Sequence, residues 1–322
     1  MPATITHTYF GKDLYEVLPS YISDKLDLKR VMMFSQNTDP LMFYNLFSIM
    51  PGKKIRKLQK YFHTNNTKDF FINLLNYVKD NNIDDIDTYS FIVGFIAHYV
   101  LDSTIHPYIY YKTGMFDKNI PSTYKYNNVH AFMEAFLDND MVKRRENIDP
   151  YKYNVSKVAF DTKKFSKDLD DTIYFVYDKT YGIKDMNKIY YKSLKQMKWD
   201  LYLFRRDPYG IKKFFYKLLD TITPKNVYRL EAVSYHYPLD DKHNFLNSNN
   251  DLWRYPTDYD HTSHESFIDL YIKSLEKAKS IITDSFDYLK GKDIDLDKLF
   301  LNTSYVTGED CLEKKELKYF QF

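Results

Sequence analysis

FIVGFIAHYVLDSTIH, residues 91–106, is an apolar run interrupted by His98, Asp102 and His106. Each of these follows the last by four positions. At about 3.6 residues per turn, that step falls about 40° past a full turn, so the three side chains share one helix face. Period-two alternation is weak here and throughout the chain, which favours helix over strand. A mostly buried helix does not carry an acid and two imidazoles without compensation, because burying unpaired polar groups is costly. Metal ions would supply it, and imidazole with carboxylate is a usual ligand set for zinc.

Working outward, a second pair at the same spacing, His130 and Glu134, lies in an expected helix over 128–145. Its apolar face runs Val129, Phe132, Met133, Phe136 and Leu137. The helix bearing the first stripe is expected over 88–105, with Asp87 or Thr88 as N-cap. Periodicity predicts further helices over 68–79, 162–179, 185–204, 210–223 and 265–289. The expected fold class is all-α, a multi-helix domain with a helical C-terminal extension. Residues 1–150 form a metal-binding helical core in this reading. Residues 151–322, loop-rich from about 226 to 264 with Pro238 and Pro256, pack on it as an extension within one compact unit.

Composition narrows the function. The chain has 322 residues, 44% hydrophobic, with few Gly and Pro, enough for a large helical core. A net charge of +2 argues against a dedicated duplex-DNA binder but allows a site for a single phosphodiester. The one cysteine, Cys311, leaves no intrachain disulfide and no thiolate metal site. The opening MPATITHTYFGKDLYEV lacks an apolar signal core, and the longest apolar run is too short to span a bilayer. The expectation is a soluble cytoplasmic protein, or a secreted one if a signal has been removed. KKIRKLQK, residues 53–60, reads as a solvated helix face; its alternative is contact with anionic head groups or nucleic acid phosphates. Trp199 and Trp253 read as core or half-buried, with a lipid-facing or base-stacking rim as the alternative. His236, His243, His261 and His264 form a minor candidate for a further metal site.

Three more donors fit the first cluster. His7 lies near the start, Asp39 in the polar turn SQNTDPLMFY, and His63 in KYFHTNNTKDFF just before a helix. Taken singly, each has a plainer reading as cap, turn or surface residue. Taken jointly, HxxxDxxxH and HxxxE on apolar helices read as a metal centre. All donors are N and O, which suits zinc and also iron or manganese.

THTYFG, the TDP turn, YFHT, AHYVLDSTIHPY and NNVHAFMEAFLD, in that order over about the first 140 residues, resemble the zinc-dependent phospholipase C family, related to the single-strand zinc nucleases. SYVTG near Ser304 is similar to an element near that family's C-terminus. The resemblance implies a helical domain holding two or three zinc ions. Asp39, His63, His98 and Asp102 would hold one; His106, His130 and Glu134 another. Asp102 would bridge to a third, shared with His7 and the amino terminus, where secreted members carry Trp and this chain begins Met1-Pro2. The implied activity is phosphodiester hydrolysis by metal-activated hydroxide attack on phosphorus, with Asp39 doubling as a proton acceptor. Phospholipid is the favoured substrate, with peripheral membrane contact and no transmembrane segment. Nucleic acid is less favoured. The alternatives are a single-strand nuclease and a non-catalytic, zinc-stabilised binding protein.

Overall fold

The computed structural model describes residues 4–236 and 241–321. Among these residues the architecture is all-α. The N-terminal helices are α1 (Thr4–Val17), α2 (Ser20–Ser23), α3 (Leu28–Phe34), α4 (Lys53–Thr64) and α5 (Thr67–Asp80). Helices α6 (Ile86–Thr113), α7 (Val129–Glu146), α8 (Val155–Val158), α9 (Lys167–Tyr181), α10 (Met186–Asp200) and α11 (Ile211–Ile222) follow. The chain closes with α12 (Phe267–Leu289) and α13 (Leu296–Leu299). The sheet is a two-residue antiparallel ribbon, β1 (Trp253–Arg254) with β2 (Thr262–Ser263), pairing Trp253 with Ser263.

Helix α6 is the axis of the molecule, buried along most of its length. It is longer than the sequence pattern predicts at both ends. Its N-cap is Asp85, whose carboxylate accepts from the Thr88 backbone N–H and hydroxyl, both at 2.8 Å. At the other end it runs through Pro107 to Thr113 before Gly114, at φ +63°, stops it. Proline lacks the N–H that would bond the Ser103 carbonyl. The turn at 304–308 packs beside that carbonyl, so close that a Cβ on Gly308 would lie 2.7 Å from it. The helix expected over 185–204 instead ends early, at Asp200, because residues Leu201–Arg205 widen into a π-type turn.

Two glycines set how α1 and α6 meet α3. A Cβ on Gly94 of α6 would lie 2.6 Å from the Phe34 backbone carbon, and one on Gly11 of α1 would lie 2.3 Å from Ser35 Oγ. The Gly94 contact is with backbone, which cannot rotate away. We therefore expect Gly94→Ala to force α3 off α6 and cost about 2–3 kcal/mol, the scale of an overpacked core. Urea unfolding of the variant checks it; an unchanged midpoint would contradict the close approach.

Helix α1 is held at its start by a carboxylate from α7. Asp138 accepts from the Ile5 N–H at 3.1 Å, the Thr6 N–H at 2.8 Å and the Thr6 hydroxyl at 2.9 Å. These donors have no partner inside the helix, and a carboxylate there also meets the positive end of the helix dipole. Buried Arg30 of α3 ties the later chain to this core, reaching Asp87 at 3.1 Å and the carbonyls of Asp161, Lys163 and Lys164. Trp253 is buried and its indole N–H donates to the Glu265 carbonyl at 3.0 Å, whereas Trp199 is 62% exposed. No helix among the described residues is long and apolar enough to cross a membrane.

Candidate metal centre

The structure brings the eight candidate donors together. His98, Asp102 and His106 project from one face of α6, His7 comes from α1, His63 from the last turn of α4, and His130 and Glu134 from α7. Asp39 opens the 3-10 turn Asp39–Phe43. Three groups place one donor atom from each member within 4.8 Å of the others: His7, Asp39, His98; His63, His98, Asp102, which shares His98 with the first; and His106, His130, Glu134. Asp102 is the joint between them. Its oxygens lie 3.1 Å from His7 Nε2, 3.0 Å from His98 Nε2 and 3.4 Å from His106 Nδ1.

Burial divides the cluster in two. His7, Asp39, His63, His98 and Asp102 are buried, while the rings of His106 and His130 are part-exposed. A small cleft opens onto Thr6, His7, Asp102, His106 and Glu134. Helix capping does not explain the buried half. His7 Nδ1, Asp39 Oδ2, His63 Nε2 and His98 Nε2 are buried and make no hydrogen bond. His98 Nε2 lies 3.0 Å from Asp102 Oδ2 and 3.8 Å from Asp39 Oδ2 without a hydrogen bond to either. Leaving four such atoms unmatched is costly, so the donor set fits a cation.

The other ring nitrogens have partners that orient them. His98 Nδ1 lies 3.0 Å from the Ser35 carbonyl and His106 Nδ1 lies 2.7 Å from the Tyr305 carbonyl, so each ring donates there and turns Nε2 outward as a lone pair. Tyr305 is a strut across the centre: its N–H donates to the His63 carbonyl at 2.9 Å and its ring packs 4.7 Å from the His63 ring. His130 Nδ1 is 3.4 Å from the Thr113 hydroxyl, its Nε2 is 3.1 Å from Glu134 Oε1, and its ring sits 4.9 Å from that of Tyr110.

Electrostatics follow from burial. It pushes the Asp39 carboxyl above its ordinary value and drives the His63 imidazole well below its own. Burial opposes charge on His98 too, but the Asp102 and Asp39 carboxylates beside it overcome that and push it up to about 9. Asp102 also starts from a burial penalty, and His106, His98 and His7 around it outweigh the penalty and hold it well below the carboxylate range. Without a cation, a proton on His98 is thus the counter-charge of this centre.

Gln59, one helical turn before His63, is a site residue that sequence reading passed over. Its amide donates to Asp39 Oδ1 at 2.7 Å and lies 3.0 Å from His63 Nδ1. A carboxylate offers no donor, so the NH2 end of the amide must face Asp39. His63 then accepts at Nδ1. A ligating Nε2 would need the ring proton on Nδ1, so Gln59 would present its carbonyl there and give up its donor contact to Asp39. We expect Gln59→Leu to weaken zinc binding about 10- to 100-fold, the usual cost of losing a partner of a ligand. Competition titration against a chromophoric chelator reads this, and equal affinities for wild type and Leu would rule out the role. The i,i+4 spacing to His63 was the signal available.

The four later histidines do not converge. His261 stacks on Tyr255 at 3.7 Å, His243 on Phe245, and His236 packs against Tyr151, while His264 Nδ1 sits 2.9 Å from the Asn250 carbonyl. Among the described residues, none joins a group able to hold a metal. The amino-terminal group invoked for a third zinc lies outside the described residues.

A thiolate-free cluster of five imidazoles and three carboxylates, buried on its inner side and part-exposed at His106 and His130, is a candidate centre for a metal held by N and O ligands on a helical frame. The zinc-dependent phospholipase C family matches residues 6–187, more than half of the chain, and the protein belongs to that family. No curated protein and no solved structure gave a significant match.

Proposed function

We propose that the chain is a zinc-dependent hydrolase that cleaves the phosphodiester bond of a phospholipid on its glycerol side. The observation that carries this reading is the set of buried, unmatched donor atoms facing one another across α1, α4, α6 and the Asp39 turn. Asp39, His63, His98 and Asp102 would hold one zinc; His106, His130 and Glu134 a second. Asp102, with His7, would serve a third. Zinc bound there would supply Lewis acidity toward phosphate oxygens and lower the pKa of a bound water to about 7.

The chain's own residues do the rest. Ser35, Tyr305 and Thr113 fix the imidazole orientations. The part-exposed edge at His106 and His130 is where a phosphate can enter, while the walls at Leu101, Ile105 and Leu137 keep the inner donors dry. Asp39, whose second oxygen has no hydrogen bond, is positioned to accept a proton from the incoming nucleophile. Residues 151–322 act as the buttress that delivers Tyr305 to the centre.

The test pairs two measurements on one sample: metal content by plasma mass spectrometry, and hydrolysis of bis(p-nitrophenyl) phosphate followed by phosphatidylcholine. Stoichiometric zinc with chelator-sensitive turnover is expected. Protein without stoichiometric metal that zinc fails to activate would overturn the proposal.

A further inference from the structure

Helix α11 is packed the wrong way round for a globular helix. Ile211, Phe214, Phe215, Leu218, Leu219 and Ile222 fall at i, i+3, i+4, i+7, i+8 and i+11, a single apolar face, and all six are exposed. None of the helix's residues is buried. It is the polar side that docks. Tyr216 donates to the Phe204 carbonyl at 3.1 Å, Lys212 Nζ to the Arg206 carbonyl at 2.7 Å, and Asp220 accepts the N–H groups of Leu230 and Glu231.

A second group of exposed apolar residues lies in a loop packed on the segment that precedes the helix. The Phe204 ring lies 4.3 Å from that of Phe47, which belongs to an exposed loop with Ile49 and Met50. That loop follows the turn carrying Asp39. At the other end, Asn127 donates to the Lys225 and Val227 carbonyls at 3.1 and 2.7 Å, fastening the segment after α11 to the start of α7, three residues before His130. Both ends of the patch are therefore attached to elements that bear the metal centre.

Charge selects the occupant. Residues 205–230 hold seven basic residues against two acids, Asp207 and Asp220; Arg205 is buried and Lys212 and Arg229 are bonded to backbone carbonyls, while Arg206 and Lys213 are half-buried and Lys217 and Lys225 exposed. Both acids are engaged, Asp207 by the N–H groups of Lys212 and Lys213 and the Ser234 hydroxyl. An outward apolar face with a basic collar matches the interface of a membrane with anionic head groups. We propose that α11, with the loop at Phe47, docks the protein on an anionic lipid surface and presents the metal centre to it. This rests on the phospholipase reading for its purpose but not for its geometry.

The experiment is sedimentation of the full chain with vesicles of phosphatidylcholine alone and of phosphatidylcholine with phosphatidylserine. Wild type should sediment with the mixed vesicles, and a Phe214→Ser/Leu218→Ser double variant, both sites being exposed, should lose at least tenfold in partition at an unchanged melting temperature. Its hydrolysis of soluble bis(p-nitrophenyl) phosphate should equal that of wild type. Wild type that stays in solution overturns the proposal. So does a double variant that sediments equally well, or a wild-type dimer that the same substitutions convert to monomer, which would make the patch a contact between copies. Vesicle binding without any phosphodiester hydrolysis would sustain the docking surface while removing the phospholipase reading.

Discussion

Asp102→Asn should abolish hydrolysis and strip more than one zinc from the protein. The substitution keeps size and shape at a helix-interior position but removes the negative charge that three imidazoles surround at 3.0–3.4 Å. Every proposed zinc has at least one ligand in contact with Asp102, so its effect cannot stay local. Losing a cation that clamps a phosphate costs several kcal/mol of transition-state stabilisation. A loss of about 4 kcal/mol corresponds to about a 1,000-fold fall in turnover at 25 °C. Bis(p-nitrophenyl) phosphate hydrolysis and metal content on the same preparation measure both effects. Turnover within tenfold of wild type, or loss of a single ion only, would show that Asp102 does not join the groups.

What could be read from the sequence tracks how local the cause is. The helices α5, α9 and α12 announce themselves because each alternates a buried and a solvated face at helical period. Helix α1 does not. Its run Thr4 to Gly11 is buried on all sides, so no period emerges, and threonines at 4, 6 and 8 favour other conformations. It is helical because Asp138, over 130 residues away, satisfies its first turn, and because Gly11 lets it lie against Ser35.

The same rule divides the centre. His98, Asp102 and His106 share a face by spacing alone, as do His130 and Glu134. The atoms that orient them come from elsewhere: Ser35, 63 positions from His98, and Tyr305, 199 positions from His106. No spacing encodes such contacts. Gln59 is the exception, one turn from His63 and legible in principle, but an amide among lysines carries no mark of metal chemistry. The outward face of α11 was invisible for a further reason. Its period is that of any amphipathic helix, and only the packed structure shows that the apolar side faces out.

Removing zinc should cost the protein stability as well as activity. Four buried donor atoms have no hydrogen bond, and a buried carboxylate pair faces a cluster of imidazoles. A cation that binds the folded chain alone stabilises it by about 4 kcal/mol when its free concentration is about 1,000 times its Kd. Chains of this size gain about 2 °C in Tm per kcal/mol. One ion therefore accounts for about 8 °C, and ions coupled through Asp102 for more. Dialysis against a strong chelator should thus lower Tm by at least about 10 °C, and adding back zinc should restore it along with turnover. Calcium should not restore it, because five imidazoles make a poor site for a cation that prefers oxygen. The contrast with a merely polar core is sharp. In such a core the His98 proton would already balance Asp102, and chelation would leave Tm where it was. A melting curve indifferent to chelator, on protein shown to be metal-free before and after, would mean that the cluster is held by protons rather than by zinc.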